Sequence, residues 1–281
     1  MKDIYYINSA GVKLDLLTPP YMLQTGELFD YEWGYESSYT SLTGGKIEYF
    51  KKDIEEILLT LSIINYGQES YYAAIDKFYE TTDFDVMNKK PGKLCFGDYY
   101  LPCYLIASKK TEWESDSSFL DNAVTLVVEY PFWLSERKYS FYKNASDISD
   151  DNIGQEYPYE YPYEYAGVFN VQYLLNAHFT SCGFRMIWYG PCVNPQVRIG
   201  DHLYEVKTTL YDGEYLVIDT TNRTVKKIKN SGEEENLFNS RNHDSYLWEK
   251  IPCGKHTVNW PGTFGIDIIL LFERSEPPWN S

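Results

Sequence analysis

The sequence is poor in histidine, in basic residues and in long apolar runs. Its four histidines, His178, His202, His243 and His256, show neither H-x-x-x-H nor H-E-x-x-H spacing. A zinc hydrolase is therefore not indicated. No G-x-S-x-G occurs, which removes the nucleophile elbow of the α/β-hydrolases. A P-loop and a dinucleotide-binding fingerprint are also lacking. The five cysteines (Cys95, Cys103, Cys182, Cys192, Cys253) are odd in number, and no C-x-x-C occurs. Neither a zinc site nor a redox pair is supported. They read as mostly buried, reduced thiols, and synthesis in a reducing cytosol follows most simply. The start, Met1-Lys2-Asp3-Ile4-Tyr5-Tyr6, carries no apolar run of secretory length. The sequons Asn144-Ala145-Ser146 and Asn222-Arg223-Thr224 accordingly carry little weight. The longest late apolar run, Ile268 to Phe272, is too short to cross a bilayer, so no membrane insertion is expected. With 25 basic against 41 acidic residues the net charge is −16. Such a field repels phosphate backbones, so no specific nucleic-acid partner is expected. The one basic cluster is Lys226, Lys227 and Lys229. In a strand Lys227 and Lys229 share a face, which reads as a solvated edge that resists pairing.

What the chain has in excess is aromatic surface. Of 281 residues 17% are aromatic, 28 of them tyrosine. Tyrosine suits strands and interfaces because it buries a ring and keeps a polar tip. The length fits one large or two ordinary domains. At 43% hydrophobic residues there is enough apolar material for real cores. The chain pivots on residues 156–165, Glu-Tyr-Pro-Tyr-Glu-Tyr-Pro-Tyr-Glu-Tyr. Tyr157, Tyr159, Tyr161, Tyr163 and Tyr165 repeat with period two, so the segment is extended with all five rings on one face. Pro158 and Pro162 exclude a central strand. The polar stretch Lys143 to Gln155 precedes it. The reading is a domain boundary followed by an edge-like strand; the alternative is a low-complexity linker. The expected domains are residues 1–140, a linker over 141–155, and 156–281.

Along the first half, residues 3–8 and 12–17 form a hairpin about Ser9-Ala10-Gly11. Residues 21–45 are an irregular arm with short strands, and 46–51 and 55–64 are strands. In the last, Ile57, Leu59, Leu61 and Ile63 define one buried face. Tyr71, Tyr72, Ile75, Phe78 and Tyr79 form one stripe of a helix over about 68–81, with Asp76 and Glu80 on its wet side. A hairpin of 93–96 and 99–107 follows, then a loop after Trp113, and a strand over 123–130 closed by Pro131-Phe132-Trp133. The second half reads as strands near 167–174, 183–189, 195–199, 203–210, 214–220, 223–229 and 265–273. Asp212-Gly213 signals a hairpin turn. Short strands separated by turn residues indicate a sandwich or jelly roll. The fold class is mainly β.

No constellation of catalytic residues stands out. Asp150, Asn152 and Gly154 lack the spacing and the closing glutamate of a calcium loop. Paired carboxylates beside aromatic platforms would suit a glycosidase or a sugar-binding module. Glu160, Glu164, Glu205, Glu214 and Asp219 fit the solvent faces of strands equally well. Trp113, Trp133, Trp188, Trp248, Trp260 and Trp279 read as core or interface anchors. No catalytic, cofactor-binding or metal-binding residue is assigned, no cofactor is expected, and the chain is read as a non-enzyme.

The order of motifs carries a resemblance. Residues 194–199 (Asn-Pro-Gln-Val-Arg-Ile), Leu203-Tyr204-Glu205-Val206, residues 213–219 (Gly-Glu-Tyr-Leu-Val-Ile-Asp) and Arg223-Thr224-Val225 follow one another. Asn236-Leu237-Phe238, Ile251-Pro252-Cys253-Gly254 and the ending Glu273-Arg274-Ser275-Glu276-Pro277-Pro278-Trp279 come after. Together with the tyrosine–proline approach and the helix-bearing first half, this resembles the distal tail (Dit-like) proteins of long-tailed phages, the siphovirus-type tail component family. Cys253 stands where that family commonly has a second proline. The resemblance implies an N-terminal β domain with one helix and a C-terminal galectin-like β-sandwich. It implies a homohexameric ring at the virion tail tip, assembled in the bacterial host cytoplasm. That ring joins the major tail tube protein to the tail-tip hub (tail-associated) protein and surrounds the end of the tape-measure protein, with receptor-binding proteins as further neighbours. The galectin-like label names a fold and does not imply sugar binding. The rival reading is a carbohydrate- or receptor-binding module of a tail fibre or baseplate. For a ring, residues 18–45 are expected to act as an arm that adds a strand to a neighbour, and the acidic surface is expected to line a channel.

Overall fold

Ile57, Leu59, Leu61 and Ile63 are buried and Leu58 between them is exposed, as two-residue alternation requires. The computed structural model describes residues 2–39, 44–64, 68–113, 119–143 and 170–279. The tyrosine–proline stretch 156–165, the polar run 144–155 with Asp150, Asn152 and Gly154, and Glu160 and Glu164 lie outside the described residues. The chain divides into two compact units, Met1–Ser135 with Glu273–Ser281, and Glu136–Phe272.

The first unit contains Ile4–Ile7 (β1), Lys13–Asp15 (β2), Tyr21–Gly26 (β3), Gly34–Ser38 (β4), Lys46–Lys51 (β5), Glu55–Ile64 (β6), Gln68–Asn88 (α1), Gly92–Phe96 (β7), Tyr99–Trp113 (β8) and Phe119–Val128 (β9). Its main sheet runs β2-β1-β7-β8-β9-β6-β3, with antiparallel pairing throughout. The length of β8 makes this possible: its first half pairs with β7 and its second half with β9. The sheet curls until its ends meet, where Leu23 N donates to Leu16 O at 2.8 Å. The inside is lined by Leu16, Leu59, Leu61, Leu94, Leu126 and Phe78, all buried, and α1 covers it.

The helix runs to Asn88, seven residues beyond the expected end at about residue 81. Its inward positions continue as Thr81, Thr82 and Asp85, all buried, so the apolar period stops although the helix does not. Thr82 Oγ1 donates back to Phe78 O, which satisfies it within the helix. Asp85 accepts from Tyr6 OH and from Ser9 N and Oγ, tying the helix to the β1–β2 turn. Lys89 at φ 53° ends the helix. Lys89 N reaches Val86 O and Lys90 N reaches Asp85 O, the two bonds of a Schellman motif. A side chain at Gly92 would collide with Tyr6 OH and the Asp85 carboxylate, so only glycine fits there.

Trp133–Phe141 (β10) leads out of the first unit. The strand expected over 123–130 does end before Pro131-Phe132-Trp133, and a new strand begins at Trp133 itself. The second unit holds Asn170–Asn176 (β11), Gly183–Tyr189 (β12), Cys192–Val193 (β13), Gln196–Ile199 (β14), His202–Glu205 (β15), Thr209–Leu210 (β16), Tyr215–Asp219 (β17), Thr224–Ile228 (β18), Glu234–Asn236 (β19), Gly254–Trp260 (β20) and all but the last two residues of Ile266–Arg274 (β21). One layer runs β19-β18-β17-β12-β21 and the other β11-β20-β14-β15. Phe184, Met186, Trp188, Leu216, Ile218 and Ile268 from the first layer meet Leu174, Val197, Tyr204, Val258 and Trp260 from the second in one buried core. That is a β-sandwich. The protein is mainly β, with α1 the one α-helix among the described residues.

Two local readings are corrected. The turn at Asp212-Gly213 forms, with Gly213 at φ 81° and Glu214 N bonded to Tyr211 O. It joins strands that do not pair, because β16 pairs with β13 and β17 with β12 and β18. The stretch 203–210 is two strands, since Lys207 N turns aside to Ser240 O. β20 escaped the sequence reading because Lys255, His256, Thr257 and Asn259 mask the inward pair Val258 and Trp260.

Candidate assembly surface

β4 and β5 pair with each other and with no other strand among the described residues. An isolated two-stranded ribbon is marginal in water, because it has no sheet face to bury. The register puts Tyr35 opposite Phe50 and Ser37 opposite Ile47, with a bulge between Glu36 and Ser37. These residues share one face. Tyr35 and Phe50 are each 60% exposed, and Tyr39, one residue past β4, is 80% exposed. The other face carries Glu36 and Lys51, paired at 3.1 Å, together with Tyr49, which lies opposite Glu36 and is 56% exposed. Lys51 also meets Asp53 at 3.7 Å, and Ser38 Oγ donates to Glu48 Oε1. The ribbon thus leaves aromatic side chains uncovered, most of them on the face of Tyr35, Ile47 and Phe50. Exposed patches of this kind mark contact surfaces.

The sequence reading placed the arm at residues 18–45. The structure shifts it. Residues 21–26 are β3 and pair with β6 in the main sheet, whereas the return strand Lys46–Lys51 belongs to the arm. The strand pair that stands apart from the main sheet is Gly34–Ser38 with Lys46–Lys51.

Its root is aromatic. Leu28 is buried, and Phe29 packs against the same core. Trp33 meets Phe132 edge-on at 5.6 Å. Lys52, on the return side, lies among three rings: 5.2 Å from Tyr31, 5.4 Å from Trp33 and 4.9 Å from Phe132. It also donates to Pro131 O at 3.0 Å. Burial lowers its pKa from the ordinary lysine value, and the ring faces and the carbonyl partly replace the lost water.

Residues weighed for chemistry are dispersed. His202 Nε2 is bonded to Tyr246 O and His256 Nε2 to Pro252 O, both at 2.9 Å. The two line an open groove of about 380 Å³ with Asp201, Glu249 and Lys250. No cluster able to hold a metal occurs among the described residues. Glu214 and Asp219, read as solvent-facing, are buried. Glu214 pairs with Lys227 at 2.8 Å; the hydrogen bond from Lys227, followed by that from the Tyr211 amide, holds its carboxyl below the ordinary value. Asp219 accepts from the amides of Thr221 and Asn222 and lies 3.4 Å from Arg185 Nε. Lys227, read as part of a solvated edge, is buried as well. β18 is flanked by β17 and β19, and the Lys227 ammonium reaches Thr209 O at 3.0 Å. The chemistry of this region is internal bracing of a turn. Among the tryptophans, Trp133, Trp188, Trp248 and Trp260 are core residues and Trp279 is exposed; the side chain of Trp113 lies outside the described set.

Comparison of the whole fold is decisive. The SPP1 Dit protein, described as a paradigm of the hub adsorption apparatus in phages infecting Gram-positive hosts, superposes with a TM-score of 0.59 at 10% identity. A chain of the phage P2 baseplate in its activated conformation with Ca superposes with a TM-score of 0.62 at 16% identity. The same baseplate with Sr gives 0.61 at 16% identity. Each match covers 98% of this chain and 99% of the other. The fold is that of a Dit-like distal tail protein. No protein-family model and no curated protein matches the sequence. At such low identity the shared Dit fold resides in the order and pairing of strands.

Proposed function

We propose that this chain is a structural protein of a phage tail tip, closing into a six-membered ring between the tail tube and the tip hub. The supporting observation is the uncovered apolar face of the β4–β5 ribbon on a Dit fold. A ring is built from heterologous contacts in which one patch of each copy meets a different patch of the next. A ribbon that carries bare aromatic residues supplies one such patch without disturbing the sheet it leaves. The neighbours are the tube protein, the hub protein, the tape-measure end and the receptor-binding proteins. The excess negative charge faces the ring's channel, where it keeps DNA from adhering.

The test is native mass. Six copies of 32.9 kDa give about 197 kDa. Replacing residues 34–51 by a short glycine–serine link is sterically mild, because Gly34 and Lys51 are already paired neighbours. The intact chain is expected to reach the six-copy mass and the shortened chain to stay a folded monomer. A shortened chain that still forms the ring removes the arm from the assembly.

A further inference from the structure

The arm is held at its root from two sides, and one of them comes from the far end of the chain. On the return side stands Lys52, lodged against Phe132 and against Trp33, the residue just before β4. On the outgoing side stands Phe29, between β3 and β4. Its ring centroid lies 5.1 Å from Phe96, 6.0 Å from Trp133 and 4.9 Å from Trp279. Phe96 lies in β7 and Trp133 opens β10, and both belong to the core of the first unit. Trp279 belongs to the C-terminal segment that follows β21.

That segment is itself secured. Trp279 Nε1 donates to Glu276 Oε1, which folds the tail into a tight turn. Lys2 Nζ donates to Pro278 O, and it lies 5.1 Å from the Phe96 ring. Yet Trp279 is 63% exposed. A core tryptophan buries its ring; this one keeps most of its ring in water and spends its contact on Phe29, at 4.9 Å, with Phe96 farther off at 6.4 Å. Such a contact adds little to barrel stability but restrains the segment from which the arm departs.

We propose that Trp279 is a positioning residue for the arm: the C-terminal tail, packed on Phe29, fixes the direction in which β4–β5 leaves the barrel, and so selects ring closure. One anchored side would let a ribbon pivot, whereas two define its direction. Direction matters because a heterologous contact closes a ring only at one rotation and otherwise yields open chains. The inference rests on the ring reading above.

The experiment uses the full chain carrying Trp279→Ala, with Trp279→Phe as the conservative partner. Amide hydrogen exchange is followed in the dilute monomer over residues 34–51 and over 55–64, and the mass distribution is followed at high concentration. Loss of an edge-on aromatic pair shifts a local equilibrium roughly two- to tenfold. Exchange in 34–51 is expected to rise by that factor while 55–64 is unchanged. The six-copy species is expected to give way to a spread of masses, and Trp279→Phe is expected to restore both. Unchanged exchange in 34–51 overturns the proposal. So does a rise shared evenly with 55–64, which makes Trp279 an ordinary stabiliser. If the unmodified chain forms no ring while Trp279→Ala still loosens 34–51, the ring reading fails and the positioning role stands.

Discussion

The β4–β5 ribbon and the β19 edge of the sandwich both present strand to water, and they are dressed in opposite ways. β19 is exposed along its whole length. Its Glu234 pairs with Lys226 at 2.8 Å, while Lys229 meets Glu233 at 3.2 Å and Glu235 at 3.7 Å. Such surface pairs add little stability. Their effect is to make the edge unattractive to another strand. The opposite layer of the sandwich guards its own edge differently: the segment 241–246 lies along β15, with Asn242 N bonded to Glu205 O and His202 bonded to Tyr246 O. In the first unit the ribbon leaves Tyr35, Ile47 and Phe50 bare. The strand edges of the sandwich are thus dressed against pairing, whereas the ribbon of the first unit leaves its rings bare.

The widest separation is expected from Tyr35→Ser combined with Phe50→Ser. Aromatic anchors at an interface cost about 2 kcal/mol or more each when truncated, so the pair should weaken association roughly a thousandfold. Both rings are mostly in water in the single chain, so its unfolding free energy should stay within about 0.5 kcal/mol of the parent. Sedimentation and chemical denaturation on the same samples measure the two quantities. A double variant that assembles normally would show that the bare face is not a contact, and one that melts early would show that it is part of the fold.

The converse holds for β18. Val225 is fully buried beneath the charged edge. Val225→Ala removes two methyl-sized groups from a packed core and should cost roughly 2–3 kcal/mol, with the ring mass unchanged at temperatures where the protein is folded. A ring lost in parallel with native structure would leave the contrast intact. A ring lost while the circular dichroism stays native would mean that the second unit also carries the contact.

Much of this contrast was legible in the sequence, and the gaps have physical reasons. Strict alternation gave 55–64 and 183–189 with their observed limits, because each faces a core on one side only. It failed for β20, whose polar residues outnumber Val258 and Trp260, and for the end of α1, where Thr81, Thr82 and Asp85 point inward. It also misjudged Lys227: alternation separates two faces but does not say that a lysine on the inner one will find Glu214. The arm was legible as an aromatic, glycine-rich excursion. Its limits were not, since only pairing shows that Tyr21–Gly26 stays in the sheet and Lys46–Lys51 leaves it. The root was hidden for another reason, because nothing local links Phe29 to Trp279 or Lys52 to Phe132.

The smallest effect lies in the sandwich and depends on pH. Asp267 is nearly buried, with Lys138 Nζ and Tyr189 OH each 2.8 Å from its Oδ2. Burial alone would raise its pKa. Hydrogen bonds from Lys138, Ser140 and Tyr189 outweigh it and hold the carboxyl below its ordinary 3.8. A carboxylate whose folded pKa is depressed contributes stability above its unfolded value and loses it as pH falls through the folded one. For Asp267→Asn the stability deficit relative to the parent should therefore be complete at pH 5 to 7 and shrink as the pH drops below about 4. Urea unfolding at a series of pH values reads the difference directly. A deficit constant from pH 7 to pH 3 would mean that the charge of Asp267 contributes nothing and only its shape matters. The sandwich would then be sealed by packing alone, and the charged dressing that sets it apart from the ribbon would be confined to its outer edge.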